Sequence, residues 1–298
     1  MSDTHGADFS PENRPYQHAD VALHCGDLTD GSKLVEFRST LNMLHSIEAP
    51  LKLVIAGNHD FTMDIAACES KVAEAIPPLE PEFVAREYGI LGQARQLFDD
   101  ARHGGISIYA LLRRMGLPIS PKPWPSFRHQ RRNRHRHHPR PSEGIMDYTY
   151  GRERAGCSDL FAAVARARPR IHCFGQIHEG LGAKLGTWKH SGSGSDNGAD
   201  KPPNHFTAID NENSPVIEKL AGLRRSTMDS DEMAQEKRVK LERLRQSRCA
   251  TTSHCTHDEY PLQVGRQTLF INASITGGED IVQRPWLVDI ELPKRAEI

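Results

Sequence analysis

The fold is decided by residues 20–61, which contain the segments "DVALHCGD" (20–27), "SKLVEFRSTLNMLHSI" (32–47) and "LKLVIAGNHD" (51–60). The first and third segments are short apolar runs that end in a turn, which is typical of a buried strand. The middle segment repeats apolar residues at helical spacing, and Ser32 is its expected N-cap. A strand, a helix and a second strand predict two parallel strands joined by a right-handed crossover.

The rest of the chain continues this pattern with two interruptions. A helix, a strand in "RIHCFGQIHEG" (170–180) and late strands within 266–293 are expected after residue 151. Residues 121–142 are dense in Arg, His and Pro and match neither helix nor strand periodicity. Residues 189–260 open with a polar linker, and we expect a disordered or helical insertion there. We therefore expect one domain over residues 1–298, interrupted by these two segments.

Composition narrows the class of protein. The 298 residues are 37% hydrophobic and 26% charged, with a net charge of -1, so no global field favours nucleic acid or a membrane. No apolar run approaches the ~18 residues that a membrane helix needs. Six cysteines without framework spacing fit a reducing compartment. We expect a cytoplasmic protein that does not contact membranes.

Polar side chains follow three predicted strands at the point where each strand ends. Asp27 follows the first, Asn58 and His59 follow the second, and Gln176 and His178 follow a third. Loops at the carboxyl ends of parallel strands lie side by side, so we expect these residues to converge. Carboxylate, imidazole and amide oxygen together suit a divalent ion such as manganese, iron or zinc. Each piece alone is more often a simple turn, but the ordered set favours a metal site.

Four motifs in order, "SDTHG" (2–6), "GDLTDG" (26–31), "AGNHD" (56–60) and "FGQIHEG" (174–180), resemble those of the calcineurin-like metallophosphoesterases. "RPRIHCFGQIHEG" (168–180) and the late "QTLFINASI" and "PWLVDIELP" are similar to the metallophosphoesterase-domain-containing subfamily of fungi and animals. The resemblance implies an α/β protein folded as a four-layer α/β/β/α sandwich around two divalent metal ions.

The resemblance also implies roles for individual residues. One set would hold the first metal: Asp3, His5, Asp27 and His178. Asn58 would bind the second metal through its amide oxygen. A hydroxide activated by the two metals would attack phosphorus while His59 gives a proton to the leaving group. Asp60 would orient His59 or, equally well, cap the following helix.

Three departures from the family pattern bear on activity. Gln176 stands where the family has a second-metal histidine, and an amide oxygen is a poorer ligand than imidazole for a transition ion. A further family histidine aligns with Pro139, and His138, one step away, is the residue that would serve. The strand expected before Asp3 is absent, which would leave Asp3 and His5 on a frayed end. The first two departures predict a weakened second metal site, and the third predicts that the first metal is held poorly.

Three functions remain open at this point. The leading hypothesis is metal-dependent hydrolysis of a small phosphomonoester or phosphodiester. The second is a catalytically impaired relative of the same fold that acts as a binding protein. The weakest is nucleic-acid binding through the Arg/His-rich segment, which the net charge disfavours. The sequence leaves the substrate, the choice of metal and the oligomeric state undecided.

Overall fold

The computed structural model describes residues 1–108, 141–149, 151–189, 202–223, 226–275 and 283–292. The chain divides into two compact units: unit 1 is Met1–Pro139 with Ser274–Gln283, and unit 2 is Arg140–Ala273 with Arg284–Ile298. Both units contain helices and strands, which confirms the predicted α/β class.

Unit 1 is built on a parallel sheet. Its helices and strands are β1 (Val21–His24), α1 (Leu34–His45), β2 (Leu51–Val54), α2 (Ile65–Ala73), α3 (Pro81–Tyr88), α4 (Gln93–Asp100) and β3 (Ile106–Ile108), with 3₁₀ turns at Phe61–Met63 and Ala101–Gly104. The sheet order is β1-β2-β3, and both pairings are parallel. The predicted strand, helix and strand over residues 20–61 are therefore confirmed.

Helix α1 packs its apolar side on the core of unit 1. Phe37 is fully buried and meets Phe98 of α4 edge to face, with ring centroids 6.0 Å apart. The prediction that Ser32 caps this helix is wrong, because Lys33 is the N-cap residue. Ser32 instead has a φ of 63° and its hydroxyl lies 2.9 Å from the hydroxyl of Thr62.

Unit 2 contains a mixed sheet and a second, smaller sheet. Its helices and strands are α5 (Ser158–Ala167), β4 (Ile171–Phe174), β5 (Gly182–Trp188), α6 (His205–Ala208), β6 (Ile209–Asp210), β7 (Val216–Lys219), α7 (Asp231–Ser247), β8 (Ala250–Ser253), β9 (Gln267–Asn272) and β10 (Trp286–Asp289), with 3₁₀ turns at His178–Gly180 and Leu220–Leu223. The larger sheet runs β4-β9-β5-β6 with β7 on β5, and β8 pairs with β10. Strands β4 and β9 are parallel, whereas β5 is antiparallel to its neighbours.

The structure describes the two interrupting segments, residues 121–142 and 189–260, to different extents. Most of segment 121–142 lies outside the described residues. Segment 189–260 contributes β6 and β7 to the larger sheet, in addition to the charged helix α7, which has no buried side chain. The late strands β9 and β10 fall within residues 266–293. Across the part of the chain that is described, each helix is too short or too polar to span a bilayer.

Candidate metal centre

The first six residues of the chain are held by backbone hydrogen bonds within unit 1. The amide of Asp3 donates to the Gly26 carbonyl at 3.0 Å, and the amide of His5 donates to the Asp27 carbonyl at 3.1 Å. On the other side, the Ile275 amide donates to the Ser2 carbonyl at 3.1 Å. The expectation of a frayed end is therefore wrong for this structure, since these bonds place Asp3 and His5 beside the loop after β1.

The backbone is strained where the expected ligands lie. Asp3, His5 and Asp27 have φ values of 58°, 50° and 52°. Residues other than glycine rarely adopt this left-handed backbone conformation, and it persists only where surrounding contacts impose it. Such strain is concentrated at functional sites more than elsewhere.

Asp27 is a buried carboxylate in an acidic environment. It is 1% exposed, and its Oδ1 accepts a hydrogen bond from the His59 amide at 3.2 Å. Loss of solvation, followed by the nearby Asp3 and Asp60 carboxylates, raises the pKa of Asp27 far above its usual range. A Cβ on Gly57 would lie 2.1 Å from Asp27 Oδ1, so only glycine allows the second loop to approach this closely.

Asp60 connects the loop after β1 to the loop after β2. Its carboxylate accepts hydrogen bonds from the Leu28 amide at 3.0 Å, the Thr29 amide at 2.9 Å and the Gly57 amide at 2.7 Å. The Thr29 hydroxyl adds a fourth bond at 2.7 Å. Burial raises the pKa of Asp60, and these donors oppose that rise.

Neither role expected for Asp60 matches these contacts. Its side chain makes no capping bond to the turn that follows, and helix α2 is capped by Asp64, whose Oδ1 accepts from the Ala67 amide at 2.9 Å. The carboxylate contacts backbone amides and Thr29, not the His59 ring. The side chain of Asp60 thus joins its own loop, after β2, to the loop after β1.

His5, Asp30 and His59 form a second group in unit 1. The two imidazole rings meet edge to face with centroids 4.7 Å apart. His59 Nδ1 lies 2.6 Å from the Asp30 carbonyl oxygen and 3.7 Å from its carboxylate. One ligand atom from each of these three residues lies within 4.8 Å of the others. Asp30 was not predicted as a site residue, although it follows Asp27 by three residues within the motif "GDLTDG".

Together the residues of unit 1 fit a divalent cation. Asp3 and Asp27 are 0% and 1% exposed, and ligand atoms of Asp3 and His5 lie within 4.8 Å of each other. Carboxylates that are buried side by side repel each other and lose solvation, and a bound cation offsets both costs. A carboxylate and imidazole set of this kind suits manganese, iron or zinc.

Four predicted ligand residues remain: Asn58 in unit 1, Gln176 and His178 in unit 2, and His138. Asn58 is half-buried in the loop after β2, directly before His59. In unit 2, Gln176 follows β4 with a φ of 71°, and His178 begins the 3₁₀ turn His178–Gly180. The Asn272 side-chain amide donates to the Ile177 carbonyl at 2.7 Å and supports that loop. His138 lies outside the described residues.

Comparisons of the sequence with known proteins identify one family. A profile of the calcineurin-like phosphoesterase family matches residues 1–167. The human and mouse proteins called metallophosphoesterase domain-containing protein 1 are each 28% identical over 210 residues, which cover 61% of this chain and 60% of theirs. A UPF0046 protein of Caenorhabditis elegans is 28% identical over 192 residues, covering 60% of this chain and 62% of its own. The chain thus spans about three fifths of the length of these relatives.

Proposed function

The chain belongs to the calcineurin-like phosphoesterase family, and from this premise we propose that it hydrolyses phosphate esters with the help of divalent metal ions. The observation that carries the proposal is the pair of buried carboxylates, Asp3 and Asp27, at the end of the parallel sheet of unit 1. The site is proposed to act on a small phosphomonoester or phosphodiester. A cytoplasmic location stays a prediction.

Unit 1 supplies most of the proposed ligands. Asp3, His5 and Asp27 would hold the first ion, and Asn58 would contribute an amide oxygen to the second. When bound, such ions supply positive charge that stabilises the phosphoryl oxygens as the ester bond breaks. The assignment of His178, Gln176 and His138 as further ligands follows the family pattern and stays a prediction.

His59 is the proposed proton donor to the leaving group. Its Nδ1 lies 2.6 Å from the Asp30 carbonyl oxygen, which can only accept a hydrogen bond. Nδ1 therefore keeps its proton, and Nε2 is the nitrogen that gains and loses one. The Asp30 carbonyl thereby determines which nitrogen serves as the acid.

A second candidate function follows from one residue. Gln176 stands where the family places a histidine, and a neutral amide is a weaker ligand for a transition ion. A chain that binds one ion and no longer turns over phosphoesters would act as a binding protein of the same fold.

The test is hydrolysis of an aryl phosphomonoester and a bis-aryl phosphodiester by the purified chain in Mn²⁺. We expect the wild type to turn over substrate and His59→Ala to be at least about a hundredfold slower, because the variant lacks the general acid. Asn58→Ala/His59→Ala serves as the background control. Turnover no higher than this control, together with one bound equivalent of Mn²⁺ that Asp27→Ala removes, would favour the binding protein instead.

A further inference from the structure

His24 is a buried histidine outside the proposed set of ligands. It ends β1, is 2% exposed, and its Nε2 lies 3.0 Å from the hydroxyl of Thr4. Within the described residues its Nδ1 is buried without a hydrogen-bond partner. A polar ring with an unsatisfied nitrogen costs free energy that an aliphatic side chain at the same position would avoid. Packing alone therefore gives no reason for a histidine here.

Thr4 lies between two residues with a strained backbone. Asp3 and His5 have φ values of 58° and 50°, and Thr4 is fully buried between them. Conformations of this kind need contacts that impose them. A side-chain bond from Thr4 to a rigid strand is such a contact.

His24 is the main partner of the Thr4 hydroxyl. The other neighbour, the Leu28 carbonyl oxygen, lies 3.5 Å away. That oxygen already accepts from the Gly6 amide at 2.7 Å and from the Thr40 hydroxyl at 2.6 Å. Both lone pairs of this oxygen are therefore occupied, and it is a weak acceptor for the Thr4 hydroxyl.

We propose that His24 is a positioning residue that, through Thr4, holds the Asp3 carboxylate and the His5 imidazole where they bind a metal ion. The inference rests on the proposed function, because it requires Asp3 and His5 to be ligands. Ligands that are fixed before the ion arrives bind it more tightly, since less ordering remains to be done on binding.

The test compares His24→Leu, which removes the bond to Thr4, with His24→Gln, whose amide can replace Nε2. The full chain is titrated with Mn²⁺ by calorimetry, and thermal unfolding by circular dichroism reports on the fold. We expect the Kd for Mn²⁺ to rise at least about tenfold in His24→Leu and to stay within about threefold in His24→Gln, while both variants unfold cooperatively.

His172→Leu is the matched control. His172 also lies in a strand and precedes a cysteine, but its Nε2 lies 3.2 Å from the Ser142 hydroxyl within unit 2. We expect this variant to bind Mn²⁺ like the wild type. If His24→Leu does not fold, Thr4→Val and Thr4→Ser repeat the comparison from the other end of the bond, with loss expected only in Thr4→Val.

The outcomes separate the two proposals. A wild-type chain that binds Mn²⁺, with His24→Leu and Thr4→Val binding it equally well, would overturn the role of His24 and leave the proposed function intact. A wild-type chain that does not bind Mn²⁺ would overturn both.

Discussion

Two buried aspartates, Asp60 in unit 1 and Asp147 in unit 2, hold loops together by different means. Asp60 accepts four hydrogen bonds from neutral donors, and in the described part of the chain no lysine or arginine pairs with it. Asp147 accepts one bond from the Gly144 amide at 2.8 Å and one from the Arg154 guanidinium at 2.7 Å.

The difference shows at which of the two sites a bound cation would offset the negative charge of the aspartates. In unit 2 the charge of Asp147 is offset by a cation from the chain itself. In unit 1, burial and then the carboxylates of Asp3 and Asp60 raise the pKa of Asp27, so three carboxyl groups lie close together. A divalent cation offsets this charge, whereas the loop around Asp147 has no need of one.

The largest effect is expected from Asp60→Ala. Removing the acceptor leaves the buried Leu28 and Thr29 amides and the partly buried Gly57 amide without this partner, so we expect a loss of about 3–5 kcal/mol in the free energy of unfolding. Denaturant unfolding measures it. Asp64→Ala is the control, because it removes only the exposed N-cap of α2 and should cost about 1 kcal/mol. Equal losses of stability in the two variants would contradict this prediction, because Asp60 would then stabilise the fold no more than the N-cap residue Asp64 does.

The next effect is on the pH dependence of stability. Burial, followed by the charge of the chain's amino terminus, lowers the pKa of His24 from 6.5 to about 3, while Asp3 opposes the shift and His5 adds to it. The ring is therefore neutral in the folded state, and the unfolded state binds more protons between these two values. Stability from this group is fully present above pH 6.5 and declines as the pH falls toward 3.

His24→Leu should remove that dependence. We expect the wild type to lose about 2 kcal/mol more than the variant between pH 8 and pH 5. Urea unfolding at a series of pH values measures the difference. Parallel curves for the two proteins would mean that His24 is solvated in the folded state.

Arg154→Ala sharpens the comparison from the side of unit 2. The change leaves Asp147 buried without its cation, and it also removes the guanidinium that lies 4.4 Å from the Tyr148 ring. Because Arg154 is partly exposed, we expect a loss of about 1–2 kcal/mol and an unchanged Kd for Mn²⁺.

Arg86→Ala is the control for Arg154→Ala. Arg86 also lies over an aromatic ring, that of Phe83, and pairs with Glu87 at the surface. We expect it to cost less than about 0.5 kcal/mol. A Kd for Mn²⁺ that changes in Arg154→Ala would contradict the prediction that this guanidinium offsets the charge of Asp147 alone.

The smallest effect is expected from Gln176→His, which restores the family residue. We expect Mn²⁺ binding to rise from about one equivalent toward about two, because imidazole is a better ligand than an amide. Metal analysis after gel filtration measures it, and Gln263→His is a control at a site remote in sequence. Unchanged occupancy would count against position 176 as a ligand position.

The sequence predicts the positions of the strand ends but not the contacts between them. Asp27 and Asn58 follow β1 and β2 as expected, because apolar runs that end in Gly-containing turns are local signals. Three of the four bonds of Asp60, those from Leu28 and Thr29, join residues more than 30 positions apart. The bond between His24 and Thr4 spans 20 positions, and local patterns do not encode such pairs. The predicted cap at Ser32 is wrong for the same reason, since its contact with Thr62 takes precedence over the helix.

The pairing of Ser2 with Ser274 has a consequence for how the protein is made. The amide of Ile275 donates to the carbonyl of Ser2, so the loop that carries Asp3 is bordered by residues that are very distant in the sequence. Contacts this distant in sequence form late and slow folding. On the ribosome, the loop at Asp3 lacks this neighbour until residue 275 has emerged, so unit 1 completes its folding only after nearly all of unit 2 has been synthesised.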